Sequence, residues 1–526
     1  MGFNLDKRFW NIVLTVSAVL FFVGSLYLWM KGRGVLFVSP DETANAWFIQ
    51  LFASQGTVRS FDVLNTVLHD SIHPRSMIVV NGWMMPVGFL GLTTLYGSLV
   101  AVLGKGILPL ITPVVALLAV FAFRKLIAQW FDEQIANITT VVLLFHPALW
   151  YYTARSLMPN VLFVSLLVFA AFCWFRRFKQ PFVSVILSGC FLGLAVFVRA
   201  SEVYWIAFVC LGLIVGFWKT LSKQDLYWFV LGGLIGIAPL FITNVLTYGN
   251  ALLTGYTLPA QVTQTAVVST TTSTTSLFLF PFGVDPNTFL KTILSYGILL
   301  FWWLSILTLI GLVASFTEKQ FKKTSLLAYV WVFVGVSVWL GVWYGSWVIH
   351  DNPDPTQVTI ANSYVRYWLA VFVLSTPFIA QAIQCISKRS KQIWMMPVLL
   401  LLIACSGIFA TFFSGQDGLM SVGQTLVRSV SIREEVLSLV ESESLIIVDR
   451  ADKLFFPHRV LYPLRSEQTY QLMPRAVENV PLYYYGITLP PVDLAYLNNQ
   501  KLKELGLKIE HLKTFDVESL YRISKP

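Results

Sequence analysis

Repeated long apolar runs constrain the fold of this chain more than any other feature of its sequence. The runs are roughly 17 to 25 residues long, the length with which an α-helix crosses the hydrocarbon core of a membrane. Of 526 residues, 56% are hydrophobic and 12% are charged, and the mean hydropathy is +0.69. We therefore predict a polytopic α-helical membrane protein with about eleven transmembrane helices. The predicted spans are 10–30, 107–123, 135–151, 161–175, 182–198, 203–218, 226–246, 290–316, 326–344, 368–386 and 394–413.

The first run is too long for the apolar core of a cleavable signal peptide, and no small-residue cleavage pattern follows it. We expect it to remain as a membrane anchor. The five cysteines all fall inside apolar runs, which predicts small buried hydrophobic residues rather than a disulfide framework or a metal site. They are Cys173, Cys190, Cys210, Cys385 and Cys405.

The distribution of basic residues predicts the topology. The net charge of +10 is not gathered in one patch, so a nucleic-acid partner is not expected. Short basic clusters instead recur at alternate ends of the runs, as the positive-inside rule describes for cytoplasmic loops, and this places the N-terminus in the cytoplasm. If a further apolar stretch, 77–103, crossed the bilayer, every later basic cluster would lie on the outer side. We therefore predict that this stretch is a juxtamembrane element. An odd number of crossings then puts the chain after residue 413 outside.

In this topology the outer loops are the long ones, and we expect the chemistry on the outer face. We predict two domains: a membrane domain at 1–413 that holds the catalytic site, and a small extracytoplasmic α/β domain at 414–526. Residue patterns in the second domain predict helices at 431–442 and 494–505 and strands at 445–448, 481–489 and 519–524. This domain carries no catalytic motif, and we assign it no reaction.

An acidic pair, Asp41-Glu42, lies just beyond the first span. Ser39-Pro40-Asp41-Glu42 matches a capping box that opens an interfacial helix at 40–53, with Ser39 as N-cap and Glu42 reaching back to it. Two carboxylates beside a membrane are also candidates for catalysis, because charge near lipid is costly unless it is solvated or used. The four residues alone leave the structural and the catalytic interpretation equally open, and a cap can also hold a catalytic carboxylate in place.

Other polar residues recur at the predicted outer ends of spans. Taken alone, each arginine is explained by a side chain that extends to the lipid headgroups, and each tyrosine by the aromatic belt at the membrane surface. Several arginines together suit a lipid-linked phosphate, because guanidinium presents a fixed fork of donors to phosphate oxygens. In the first loop, His69 and His73 have a metal-ligand spacing, but no third ligand follows, and a polar turn is the favoured interpretation. The residues at span ends are Arg155, Arg199, Glu202, Tyr256, Arg366 and Tyr367.

The order of these motifs resembles the GT-C superfamily of membrane glycosyltransferases, in particular the branch that contains protein O-mannosyltransferases and lipid A aminoarabinose transferases. The resemblance covers roughly residues 1–413 and depends on motif order and topology more than on any one motif. The motifs are Ser-Pro-Asp-Glu in the first loop, Ala-Arg-Ser-Leu-Met-Pro-Asn in an outer loop, Asn244-x3-Tyr248-Gly249 leading to Gly255-Tyr256, and Ser-Tyr-Val-Arg-Tyr at the start of a late span.

The resemblance implies transfer of a sugar from a polyprenyl-phosphate donor to a hydroxyl group on the outer face, with inversion. It implies that Asp41 is the catalytic carboxylate, with Glu42 as its neighbour, and that Arg366, then Arg199 and Arg155, bind the donor phosphate. Where the family often has an acidic residue, this chain has Asn160, so we expect a metal-independent reaction and no cofactor. The expected substrate-binding residues are His73, Arg155, Arg199, Glu202, Tyr256, Arg366 and Tyr367.

Two further alternatives stay open. The low-complexity run 269–276, followed by Phe278, Phe280 and Phe282, is predicted either to close over the lipid donor or to form a passive surface loop. A non-enzymatic flippase or transporter of lipid-linked glycans would also need outward arginines and a lipid groove. Such transporters often show internal repeats, and none is visible here, which favours the enzyme.

Overall fold

Helices make up most of the computed structural model of this protein. The structure describes residues 6–176, 180–217, 221–258, 282–317, 323–349, 351, 354, 357–392 and 394–526. The predicted closing segment 269–276, together with Phe278 and Phe280, lies outside these residues. Within them, seven helices are long and apolar enough to cross a membrane. They are Lys7–Lys31, Lys105–Trp130, Pro181–Val198, Lys223–Tyr248, Leu326–Gly345, Leu369–Ser390 and Met395–Phe412.

Two bent helix pairs raise the number of candidate spans in the described ranges to nine. Glu133–Leu144 and Pro147–Ala154 meet at 49°, and Pro286–Leu299 and Trp302–Thr317 meet at 89°. At the first bend Pro147 supplies no backbone N–H, so a new helix begins there, and the ring of His146 accepts from the Ala148 N–H at 3.2 Å. The multi-pass membrane class is confirmed, and the count of eleven stays a prediction. Shorter apolar helices are Gly91–Leu103, Pro159–Phe175 and Ala200–Gly216.

Contacts divide the chain into two compact units, which we describe separately. The helical unit contains Met1–Tyr27, Pro109–Leu240 and Val267–Val422, and the mixed unit contains Leu28–Leu108, Phe241–Ala266 and Gly423–Pro526. The predicted domain boundary at 413–414 stays a prediction. The mixed unit groups most of the C-terminal segment with the first loop, because both contribute to one core.

Small residues allow close helix packing in the helical unit. A Cβ atom added at Gly232 would lie 2.1 Å from the carbonyl oxygen of Ile186, and one at Gly193 would lie 2.4 Å from that of Gly233. These contacts bring Lys223–Tyr248 against Pro181–Val198 with almost no side-chain volume in between.

The mixed unit contains two sheets and the helices around them. The first sheet is antiparallel, with strands β1 (Ser60–Phe61), β2 (Met77–Val80) and β3 (Trp83–Pro86) in the order β1-β3-β2. After it comes the 13-residue helix Gly91–Leu103, which packs on Pro40–Gln55. The stretch 77–103, predicted as a juxtamembrane element, is thus a hairpin and a short helix rather than one long helix.

The second sheet has five strands in the order β5-β4-β6-β8-β7. Strand β4 is parallel to both β5 and β6, whereas β8 is antiparallel to β6 and β7. Its core includes Leu64, Leu68 and Ile72 from the first loop. The strands are β4 (Leu445–Val448), β5 (Arg459–Leu461), β6 (Leu482–Ile487), β7 (Lys508–Phe515) and β8 (Glu518–Ser524).

The prediction for the C-terminal segment was correct for three strands and for the helical type of its two helices, whose bounds differ in the structure. The predicted helix 431–442 is the end of the longer helix Leu419–Leu439. The predicted helix 494–505 is divided into the α-helix Pro491–Tyr496, the π-helix Leu497–Lys501 and the 3-10 helix Lys503–Leu505. The sequence analysis missed β5, β7 and the helix Glu467–Asn479. Strand β7 is an edge strand whose middle residues are exposed and largely polar, so it lacks the apolar alternation that marks a strand.

Candidate functional site

The predicted site residues divide between the two compact units. Asp41, Glu42, His73 and Tyr256 belong to the mixed unit, and the three arginines, Glu202 and Tyr367 to the helical unit.

The acidic pair opens the helix Pro40–Gln55, as predicted, but its two carboxylates have different environments. Ser39 and Glu42 form the capping box: the Glu42 N–H donates to Ser39 Oγ at 3.3 Å, and the Ser39 N–H donates to Glu42 Oε2 at 3.1 Å. Glu42 is buried, whereas Asp41 is partly exposed. Glu42 therefore has a structural role in the cap, and Asp41 is the carboxylate of the pair that solvent or a substrate can reach.

A second chain segment holds the Asp41 side chain. The hydroxyl of Ser76, next to the start of β2, donates to Asp41 Oδ1 at 2.5 Å. Ser76 has a φ of +65°, a left-handed conformation that is uncommon for a residue with a Cβ. This hydrogen bond restricts the rotamer of Asp41, and the sequence analysis did not identify Ser76.

His73 and Tyr256 have structural partners in the mixed unit. His73 Nδ1 lies 3.0 Å from the carbonyl oxygen of Pro74, and burial lowers the pKa of His73, opposed by that hydrogen bond and by the nearby carboxylates of Asp452 and Asp70. The ring of Tyr256 is exposed and contacts Phe89 edge-on at 5.4 Å.

The motif from Tyr248 to Tyr256 packs against the hairpin of β2 and β3. The Tyr248 hydroxyl donates to the Pro86 carbonyl oxygen at 2.7 Å, and a Cβ atom at Gly255 would lie 2.4 Å from that oxygen. These contacts explain the tyrosine and the glycine of the motif by packing.

In the helical unit, four of the predicted residues line one small pocket: Arg199, Glu202, Arg366 and Tyr367. Asn160 also lines it, at the position where the sequence departs from the family pattern. Its Nδ2 donates to the Arg366 carbonyl oxygen at 3.1 Å, and its buried Oδ1 has no hydrogen-bond partner within the described part of the chain. The other lining residues are Phe163, Val164, Trp205, Leu340 and Ala370.

Arg199 and Glu202 form a buried ion pair. Arg199 Nη2 donates to Glu202 Oε1 at 2.7 Å, and the same oxygen accepts from the Tyr344 hydroxyl at 2.6 Å. Trp205 Nε1 donates to the other carboxylate oxygen at 2.5 Å. Glu202 thus neutralises much of the charge of Arg199, and the sequence analysis missed both Tyr344 and Trp205.

Arg366 has a different environment. Its Nη1 lies 2.9 Å from Met158 Sδ and its Nη2 lies 3.4 Å from the Tyr367 hydroxyl. Arg366 and Arg199 each lie 5.1 Å from the centroid of the Tyr367 ring, which is stacked on Tyr344 at 4.3 Å. The pocket is therefore lined by two cations that share one aromatic ring.

The loop before Arg366 is held by Tyr152, on the helix Pro147–Ala154, and by its own residue Asn362. The Tyr152 hydroxyl lies 2.9 Å from the Asn362 carbonyl oxygen, and the side chain of Asn362 caps the short helix Ser363–Tyr367. Arg155 is buried, with its guanidinium 5.8 Å from the Tyr152 ring. Arg155 does not line the pocket described above.

No group of three or more His, Cys, Asp and Glu side chains suited to a metal ion occurs among the residues that the structure describes. His69 and His73 therefore belong to no such group. Metal independence stays a prediction.

Comparisons with known proteins identify the fold. No protein-family model matches the sequence, and no curated protein matches it. The structure is similar to ArnT from Cupriavidus metallidurans bound to undecaprenyl phosphate, with a TM-score of 0.57, 12% sequence identity, and coverage of 98% of this chain and 98% of that chain. ArnT is a GT-C glycosyltransferase, so the predicted GT-C fold is confirmed.

Two further structures show weaker similarity. The oligosaccharyltransferase of Archaeoglobus fulgidus in complex with Zn and sulfate matches with a TM-score of 0.47 and 13% identity, over 93% of this chain and 68% of that chain. The mycobacterial arabinofuranosyltransferase AftD matches with a TM-score of 0.48 and 11% identity, over 99% of this chain and 42% of that chain.

Proposed function

We propose that this protein is a membrane glycosyltransferase that moves a sugar from a polyprenyl-phosphate donor to a hydroxyl acceptor on the outer face of the membrane. The observation that carries the proposal is the pocket in which Arg199 and Arg366 flank Tyr367. The fold supports it, because the similar ArnT structure contains undecaprenyl phosphate.

Arg366 is the proposed ligand of the donor phosphate. A phosphodiester carries one negative charge, and a guanidinium binds two of its oxygens at once. Arg199 already pairs with Glu202, so its net attraction for a further anion is reduced. We assign Arg199 and Glu202 to the side of the pocket that orients Tyr367 and Arg366. We assign Asn160 Oδ1 to accept a hydrogen bond from a hydroxyl group of the sugar-phosphate donor.

Asp41 is the proposed general base. The acceptor hydroxyl transfers its proton to the Asp41 carboxylate as its oxygen bonds to the anomeric carbon of the sugar. The bond from that carbon to the phosphate oxygen breaks, and the polyprenyl phosphate leaves with the electron pair. Attack from the opposite side inverts the anomeric centre. Because Arg366 stabilises the phosphate charge that develops, we propose that the transfer needs no metal ion.

The test is to replace Asp41 and its neighbours separately. Asp41→Asn keeps the size of the side chain and its hydrogen bond to Ser76 but removes the base, so turnover should fall by roughly 100-fold or more. Ser39→Ala should lower helix stability by about 1 kcal/mol and leave turnover per folded molecule nearly unchanged. The measurement is release of label from radiolabelled undecaprenyl-phosphate sugars in membranes, with thermal stability measured in parallel. If Asp41→Asn transfers sugar at nearly the wild-type rate, Asp41 is not the base. If the wild-type protein releases no label from any of these donors, carriage of lipid-linked glycans without chemistry becomes the better explanation.

A further inference from the structure

Two adjacent residues of the C-terminal segment, Asp452 and Lys453, contact the two short segments that hold Asp41. Both begin the helical turn Asp452–Phe455, which follows β4. All of these residues belong to the mixed unit. The C-terminal segment had no assigned role in the sequence analysis, and these contacts indicate one.

Asp452 fixes the segment that precedes β2. Its side chain is fully buried and accepts from the Arg75 backbone N–H at 2.8 Å, from Arg75 Nη2 at 2.7 Å and from Arg75 Nε at 3.1 Å. A buried carboxylate is stable only with such partners, so these bonds hold the backbone at Arg75 firmly. The next residue is Ser76, whose hydroxyl donates to Asp41.

Lys453 fixes the segment that precedes the Asp41 helix. Its ammonium group donates to the carbonyl oxygen of Val38, one residue before the N-cap Ser39. Further along, Phe456 contacts Trp47 edge-on at 5.2 Å. Lys453 therefore holds the start of the helix that carries Asp41. Asp452 holds Arg75, the residue before Ser76, whose hydroxyl donates to Asp41.

The helical turn that carries these two residues is itself braced. Arg433, on the helix Leu419–Leu439, donates to the carbonyl oxygens of Leu454 and Phe456, the second at 3.0 Å. Arg75 also interacts electrostatically with Asp41: burial opposes its charge, but Asp452, Tyr462 and Asp41 together raise the pKa of Arg75. Arg75 is thus a permanent cation close to the proposed base.

We propose that Asp452 and Lys453 are positioning residues that set the orientation of Asp41 through Arg75-Ser76 and Val38-Ser39. This inference rests on the proposed function of Asp41 as the base. It gives the C-terminal segment a task in the reaction without contact with the reacting atoms.

The test compares Asp452→Asn and Lys453→Met with two matched controls in the full-length protein. Ile447→Ala removes a fully buried side chain of β4 and controls for lost stability. Glu467→Gln removes an exposed ion pair with Lys501 and controls for lost charge. We expect Asp452→Asn to lower kcat per folded molecule at least tenfold, with the donor KM within twofold of wild type. Both controls should leave kcat per folded molecule within twofold. A fall in kcat that only follows the folded fraction, as in Ile447→Ala, would overturn the proposal.

Two further measurements separate this proposal from that for Asp41. If Asp452 acts through Asp41, Asp452→Asn should cause less than a twofold further loss in an Asp41→Asn background, whereas a tenfold further loss would contradict it. Amide hydrogen exchange needs no substrate. Exchange at 38–44 and 75–78 should be at least tenfold faster in Asp452→Asn than in Glu467→Gln, and equal rates would overturn the proposal. If Asp41→Asn is fully active but exchange still increases in Asp452→Asn, the proposed role of Asp41 as base fails while the contact between the segments stands.

Discussion

At the scale of single residues, two arginines of the same pocket have different side-chain contacts. Arg199 lies 2.7 Å from a buried carboxylate, whereas Arg366 contacts a thioether and a phenol. Loss of one partner from a buried ion pair destabilises the folded protein, because the remaining charge is left buried without compensation. A guanidinium that lines a pocket can bind the oxygens of an incoming phosphate.

This difference predicts that the same substitution affects ligand binding at one arginine and protein stability at the other. Arg366→Gln should weaken binding of undecaprenyl phosphate by about 1.5 to 3 kcal/mol, the contribution of a charged hydrogen-bonding group. Arg199→Gln should instead destabilise the protein by about 3 to 5 kcal/mol, because it leaves Glu202 buried without its cation. Binding in detergent and thermal unfolding of both variants measure this. Equal affinity in Arg366→Gln and wild type would assign Arg366 to lipid headgroups.

His73 predicts a pH dependence of stability. Because burial lowers its pKa in the folded protein, the folded state binds this proton less readily than the unfolded chain, whose histidines titrate near about 6.5. Its contribution to stability is therefore present above that pH and is lost as the pH falls toward the folded pKa. We expect the apparent unfolding temperature to fall between pH 7 and pH 5, and to fall less steeply in His73→Asn.

A matched control tests this assignment. His511→Asn, on the exposed edge strand β7, should keep the wild-type pH dependence. His458 should preserve part of the slope in every variant, since burial and the charges of Arg459 and Arg433 also lower its pKa. An identical slope in His73→Asn and wild type would show that His73 does not contribute.

At the scale of elements, adjacent glycines on Lys223–Tyr248 differ in what they face. Gly232→Ala places a Cβ atom 2.1 Å from the Ile186 backbone, and overpacking of this kind costs about 1 to 3 kcal/mol. Gly233→Ala meets its nearest atom at 3.9 Å, so the better helix propensity of alanine, worth up to about 1 kcal/mol, should leave it neutral or stabilising. Thermal unfolding of the two variants decides. Similar destabilisation in both would mean that the two helices do not pack through Gly232.

At the scale of the whole molecule, the basic loops predict the orientation in the membrane. Arg389 should face the cytoplasm and Glu504 the outside, and both are exposed in the structure. A membrane-impermeant thiol reagent on intact cells should therefore label Glu504→Cys but not Arg389→Cys until the membrane is opened. The unsubstituted protein, with its five cysteines in apolar segments, is the control. The reverse labelling pattern would invert the predicted topology.

Local signals explain the parts of the molecule that could be predicted from the sequence. The capping box at Ser39 and Glu42, the strand Leu445–Val448 and the long apolar helices all depend on residues within a few positions of each other. Strand β7 was missed because an exposed edge strand has no such local pattern. Of the proposed roles, that of Asp41 came from a resemblance in motif order, which gives a residue a candidate role but not its partners.

The sequence by itself determined that this protein is a multi-pass helical membrane protein with a small α/β segment, because hydropathy and periodicity are properties of contiguous residues. Only the tertiary structure decided which charges meet. Glu202 accepts from Tyr344, 142 positions along the chain, and Asp452 holds Arg75 across 377 positions. A buried charge needs a partner at hydrogen-bonding distance, and that distance is set by packing of distant segments rather than by spacing in the sequence.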